Sequence, residues 1–209
     1  MAQNKALYTF GKWILFPAYK LLYRFKVKNK GVIPAEGGVI LTANHLSFAD
    51  PVLLGLSEKR RLYFMAKQEL FRNKFAGAVI RALGAFPVER GAGDGKAIKT
   101  GEEILVEGNV MTIFLEGGRS KTGELMRPRS GCALLAQQVQ LPVVPCCITK
   151  RNSKHKFSKT IIHFGEPLTP EQLGLTPGGG RRELKNATGI IMGEIKKMRE
   201  EDANELKKG

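Results

Sequence analysis

Residues 44–50 read NHLSFAD and follow the apolar run GGVILTA, so one imidazole and one carboxylate stand five positions apart. Histidine titrates near neutral pH, so His45 can take a proton from a hydroxyl and return it later. A carboxylate beside it, Asp50, can hold the ring in one tautomer and stabilise the imidazolium that forms. The same residue types also serve as metal ligands. A third reading is purely structural: Asp50 precedes Pro51 and suits the cap of a helix. Cap and catalytic partner are compatible roles.

Three further stretches keep this pair company. GAFPVER (84–90) puts Arg90 just past a strand-like run, and FLEGGRS (114–120) puts Glu116, Gly117, Gly118 and Arg119 past another. LPVVP (141–145) enters a third. Guanidinium groups bind phosphate oxygens in pairs and keep their charge, so two converging arginines suit a phosphate. Adjacent glycines let backbone N–H groups approach an anion closely. Taken singly, each arginine reads as a solvated surface residue and each glycine as a turn. Ser47 lies two residues from His45 and need not face it, which argues against a serine nucleophile. Cys132, Cys146 and Cys147 sit in apolar stretches and read as inert core, reduced rather than disulfide-bonded. His45, His155 and His163 have no zinc-type spacing, and no metal or cofactor is expected.

These residues need a scaffold. Strands are predicted over 39–42, 62–65, 85–88, 111–115, 143–148 and 160–164. Helices are predicted over 50–56, 69–83, 95–107, 131–140 and 181–208. Such alternation specifies an α/β domain with a largely parallel central sheet flanked by helices. In open sheets of this kind, sites form outside the carboxyl ends of the strands. Two regions are assigned, a segment 1–29 and a domain 30–209. The first reads as an amphipathic helix at a membrane interface. At about 100° per residue, Lys5, Lys12, Lys20 and Arg24 share one third of the wheel, placed to meet lipid phosphates. Leu7, Phe10, Ile14, Leu21 and Leu22 lie on the remaining arc. Pro17 is expected to bend or split the helix. Docking of this helix on the domain's own core is the alternative.

The chain has 209 residues, 34 Lys+Arg against 19 Asp+Glu, and a formal net charge of +15. That surplus favours an anionic partner, either nucleic acid or an anionic lipid surface. A nucleic-acid domain is disfavoured because no helix-turn-helix, zinc-finger or RNA-recognition pattern is present. No segment reads as a transmembrane helix or a signal peptide. The densest basic stretch is KRNSKHKFSK (150–159).

In this order and spacing, the four stretches resemble the glycerolipid acyltransferase family, and within it the bacterial 1-acyl-sn-glycerol-3-phosphate acyltransferases. Asn44, His45 and Asp50 match its NH-x4-D motif. Gly84, Phe86 and Arg90 match the second motif. Phe114, Glu116, Gly117, Arg119 and Ser120 match the third, usually F-P-E-G-T-R-S. Pro142 and Pro145 match the apolar-Pro block. Leu115 and Gly118 replace the usual Pro and Thr, and RPRSG, with Arg127 and Arg129, stands where relatives often carry lysines. The resemblance spans residues 30–165 by motif. It implies acyl transfer from an acyl carrier protein or coenzyme A thioester to the sn-2 hydroxyl of lysophosphatidic acid. His45 would be the general base and Asp50 its orienting partner. Arg90 and Arg119 would bind the acceptor phosphate, and Glu116 would contact the glycerol or brace Arg119. The enzyme would work at the cytoplasmic face of an anionic membrane. Glycerol 3-phosphate, another lysophospholipid or a lyso-aminolipid are alternative acceptors.

Overall fold

A computed structural model describes residues 5–88, 95–152, 155 and 157–208. The strands are β1 (Lys26–Lys28), β2 (Val39–Ala43), β3 (Leu62–Lys67), β4 (Ala85–Val88), β5 (Val110–Phe114), β6 (Val143–Lys150) and β7 (Thr160–Phe164). The helices are α1 (Lys5–Tyr23), α2 (Asp50–Ser57), α3 (Lys74–Ala82), α4 (Gly95–Val106), α5 (Gly131–Val139) and α6 (Arg181–Lys208). The strands form one seven-stranded sheet in the order β1-β7-β6-β2-β5-β3-β4. Every adjacent pair is parallel except β6 with β7.

Central β2 is buried at every position, and β6 at all but its last. Runs of this kind are apolar throughout because helices cover both faces of a parallel sheet. On one face, Leu53 and Leu54 of α2 and Tyr23 of α1 pack against Val39, Leu41 and Ala43. On the other, α4, α5 and α6 bring Leu105, Leu135, Ile191 and Ile195 onto Ile40, Met111 and Val143. Each such side chain withdrawn from water contributes about 1.5–3 kcal/mol. Gly84 closes the turn into β4. Its φ is +94°, and a Cβ there would stand 2.0 Å from the Leu62 carbonyl oxygen, so only glycine fits.

The sheet and the last helix follow the sequence pattern closely, but three features differ from it. The helix expected over 69–83 is a 3₁₀ turn (Gln68–Phe71) followed by α3, which starts after Asn73, a residue type favoured at helix starts. Edge strand β1 lies inside the 1–29 segment and pairs with β7, although three residues carry too little pattern to announce a strand. α6 is tied to this edge by Asp202, wholly buried, which takes His163 Nδ1 at 3.1 Å and Lys28 Nζ at 2.8 Å.

The third difference concerns α1. It runs through Pro17 without being split in two. Two of its lysines are engaged with backbone carbonyls: Lys12 Nζ donates to that of Glu58, and Lys20 Nζ, which stays exposed, to that of Phe25. Tyr8 and Tyr23 are buried on the same side. Lys12, Tyr8 and Tyr23 therefore carry docking contacts, and the face left outside holds Phe10, Trp13, Ile14 and Leu21, with Trp13 77% and Leu21 78% exposed. None of the described helices is long and apolar enough to cross a membrane.

Candidate active site

β2 stops at Ala43, yet its pairing with β6 continues for one more residue through a side chain. The Asn44 amide donates to the Ile148 carbonyl at 3.0 Å, and its oxygen accepts the Ile148 N–H at 2.8 Å. This imitates a peptide group and turns the chain out of the sheet directly before His45. The Leu115 N–H donates to the Ala43 carbonyl and the Ser120 N–H to the His45 carbonyl, both within 2.9 Å. The loops after β2 and β5 are thus tied at two points.

Asp50 opens α2 with no exposed surface. It is not the cap that its place before Pro51 suggested: Ala49 holds the cap position. The carboxylate turns back onto its own loop instead. Oδ2 accepts from Leu46 N at 2.6 Å and Ser47 N at 2.7 Å and meets His45 Nδ1 at 2.8 Å. Oδ1 accepts from Ser47 Oγ at 2.7 Å. With Nδ1 held by the carboxylate, Nε2 is left to exchange the proton. The ring also lies flat on Phe114, with centroids 3.8 Å apart and planes 12° from parallel. Ser47 faces Asp50, not the imidazole, which fits an orienting role and no nucleophilic one.

Glu116 follows β5 and is 4% exposed. Neither carboxyl oxygen has a hydrogen-bond partner among the described residues. Burial pushes its pKa up to about 7, against the opposing pull of the backbone at Met126 and His45 and of the Arg199 charge. Gly117 adopts φ +68°, and its N–H is taken by the Phe114 carbonyl at 2.9 Å, so it does not offer that group to an anion. Its missing Cβ serves another purpose, because the Arg129 side chain lies across it; a Cβ would stand 2.6 Å from Arg129 Cδ. Gly118 has open space around it. Arg119 is exposed, and the centre of its guanidinium sits 3.4 Å from the centre of the Phe48 ring. A cavity of about 470 Å³ opens beside these residues, lined by Glu116, Gly117, Gly118, Met126, Arg127, Pro128 and Arg129.

The fold thus gathers His45, Asp50, Glu116, Gly117, Gly118 and Arg119 at the carboxyl ends of β2 and β5. Arg90 lies outside the described residues, two positions beyond the end of β4. Three contributions were not assigned from sequence: the Asn44 clamp, Ser47 as a partner of Asp50, and Arg129 over Gly117. Only Gly117, a glycine beside Glu116 in the run EGGR, carried a hint of the last. The three cysteines are buried thiols, with burial pushing Cys132 and Cys147 up to about 12 and Cys146 well above its ordinary value, as inert core positions should be.

Comparison with known proteins adds an independent line. The sequence model of the family described as Acyltransferase matches residues 24–149. The chain is similar to the 1-acyl-sn-glycerol-3-phosphate acyltransferase of Bacillus subtilis, 34% identical over 147 residues, covering 68% of this chain and 73% of that protein. It is 32% identical over 145 residues to the protein of the same name from Streptococcus pneumoniae, covering 67% of this chain and 54% of the other. Among solved structures, the 1-acyl-sn-glycerophosphate (LPA) acyltransferase of Thermotoga maritima superposes with a TM-score of 0.69 at 22% identity, over 94% of this chain and 78% of that one. The last likeness speaks for the fold.

Proposed function

Because this chain belongs to the Acyltransferase family, we propose that it transfers a fatty acyl group from a thioester to the sn-2 hydroxyl of 1-acyl-sn-glycerol 3-phosphate, making phosphatidic acid. The observation that carries this reading is the His45–Asp50 pair, 2.8 Å apart, on a loop bonded through the His45 carbonyl to Ser120, at the end of the Glu116–Ser120 loop whose Glu116, Gly117 and Gly118 line a cavity with Arg127 and Arg129. His45 Nε2 takes the hydroxyl proton as the oxygen attacks the thioester carbonyl. The tetrahedral intermediate collapses with cleavage of the C–S bond, and the imidazolium returns the proton to the departing thiolate. Asp50 holds the ring and stabilises its charged form. Acid–base help of this kind is worth about 10²–10⁴-fold.

Arg119, together with Arg90, receives the acceptor phosphate, and Arg127 and Arg129 add charge at the neighbouring cavity. Glu116 faces the glycerol portion. The acyl donor is an acyl carrier protein or coenzyme A thioester, and no further cofactor is needed. The protein sits on the cytoplasmic face of the membrane, with the outward stripe of α1 in the headgroup boundary. Basic groups elsewhere in a chain of net charge +15 attract anionic lipid.

The test offers acyl carrier protein and coenzyme A thioesters separately, with lysophosphatidic acid as acceptor, to the purified protein in detergent or lipid. Phosphatidic acid from the native protein and almost none from His45→Ala is the expected result. Lack of product with both donors sinks the acceptor assignment and directs attention to glycerol 3-phosphate and other lysolipids.

A further inference from the structure

Phe48 lies in the middle of the NHLSFAD loop and is 72% exposed, an unfavourable place for a large apolar ring. It has one specific contact on the loop that follows β5. The Arg119 guanidinium stacks on it at 3.4 Å between centres. A ring covers a face of the guanidinium and leaves its N–H donors, which lie in the plane, open to an anion. It also removes rotamer freedom that a long exposed arginine would otherwise lose on binding. Phe48 stands three residues from His45, and Ser120, next to Arg119, is hydrogen-bonded to the His45 carbonyl. The proton-accepting group and the cation are therefore held to each other by a ring contact and a backbone bond.

We propose that Phe48 is the positioning residue for the acceptor's phosphate, stacking Arg119 so that the in-plane N–H donors of the guanidinium are held ready to bind the phosphate. This rests on the proposed acyl transfer to a phosphate-bearing acceptor. It goes further in naming a residue with no acid–base or charge chemistry of its own as a determinant of acceptor binding.

The experiment measures kcat and KM for a short-chain, monomeric lysophosphatidic acid in detergent, using the full chain and Phe48→Leu, Phe48→Trp, Arg119→Ala and the Phe48→Leu/Arg119→Ala double variant. Leucine keeps the bulk and removes the π face. Phe48→Leu is expected to raise KM about three- to tenfold, the worth of a cation–π contact, with kcat and Tm little changed. Phe48→Trp restores KM, and the double variant is no worse than Arg119→Ala, because the two residues act as one unit. If Arg119→Ala raises KM while Phe48→Leu does not, the positioning role is refuted and the phosphate reading survives. Should Arg119→Ala itself leave KM unchanged, the phosphate reading of Arg119 falls, and the role of Phe48 with it. A Phe48→Leu defect that appears only on vesicles makes Phe48 a lipid anchor and overturns the proposal. A fall in kcat and Tm with unchanged KM makes it a structural residue and does the same.

Discussion

Asp50 Oδ2 meets His45 Nδ1 at 2.8 Å while accepting the N–H groups of Leu46 and Ser47 at 2.6 and 2.7 Å. One oxygen thus shapes the turn and fixes the ring that the turn carries. Asp50→Asn is expected to lower kcat about 10²–10⁴-fold, because an amide stabilises neither the tautomer nor the imidazolium as a carboxylate does. Ser47→Ala removes one bond to Oδ1 and should cost less. Steady-state kinetics beside circular dichroism separates this from unfolding. Native-like kcat in a folded Asp50→Asn protein would end the dyad reading.

Glu116 gives a pH signature. Its pKa lies near 7 in the folded protein, above the ordinary carboxyl value of 4.5. Between those values the unfolded chain has released a proton that the folded chain retains, so stability falls as pH rises through this window. The cost is fully present above pH 7 and absent below about pH 4.5. Glu116→Gln removes it. The variant should therefore melt higher than the native protein at pH 8, by about 2–4 °C for each kcal/mol relieved, and the gain should shrink toward pH 5. Equal melting differences at both pH values would show that Glu116 has partners which keep its ionisation ordinary.

Trp13 is the chain's single tryptophan and is 77% exposed on the outer face of α1. Its fluorescence is expected to shift to the blue when vesicles containing phosphatidylglycerol are added. Since Lys12 and Lys20 are engaged with backbone carbonyls, the apolar stripe should dominate the interaction. Much of the shift should then survive 0.5 M salt, which screens exposed charges. Leu21→Ser should weaken partitioning about tenfold, close to the cost of withholding one leucine from an apolar phase. No shift with any vesicle composition would remove α1 from the membrane.

Asn44 is 1% exposed and serves both backbone groups of Ile148. Asn44→Ala strands a buried N–H and a buried carbonyl. Each orphaned group costs about 1–3 kcal/mol. Chemical denaturation should show a loss of about 2–6 kcal/mol, with activity falling too because His45 follows directly. A loss below 0.5 kcal/mol would mean that water replaces the amide without penalty.

Short-range order was legible in the residues alone. The period of the apolar runs announced an α/β sheet, because buried parallel strands and one-sided helices leave different repeats. His45 and Asp50 could be paired because a turn and the first turn of a helix bring residues five apart together. The strand-end positions of Glu116 and Arg119 followed from the same pattern. What depends on distant neighbours emerged on folding. The burial of Glu116, unpartnered among the described residues, comes from the loop that returns along Arg129, and nothing in EGGR specifies that path. The Phe48–Arg119 contact joins two loops about 70 residues apart in the chain. Helix α1 shows the difference most plainly. A helical wheel shows two faces and cannot say which one meets the protein; backbone carbonyls at Glu58 and Phe25 took Lys12 and Lys20, Tyr8 and Tyr23 went inside, and Phe10, Trp13, Ile14 and Leu21 stayed outside. Local sequence fixes a repeat, whereas orientation is set by whichever distant groups need a partner.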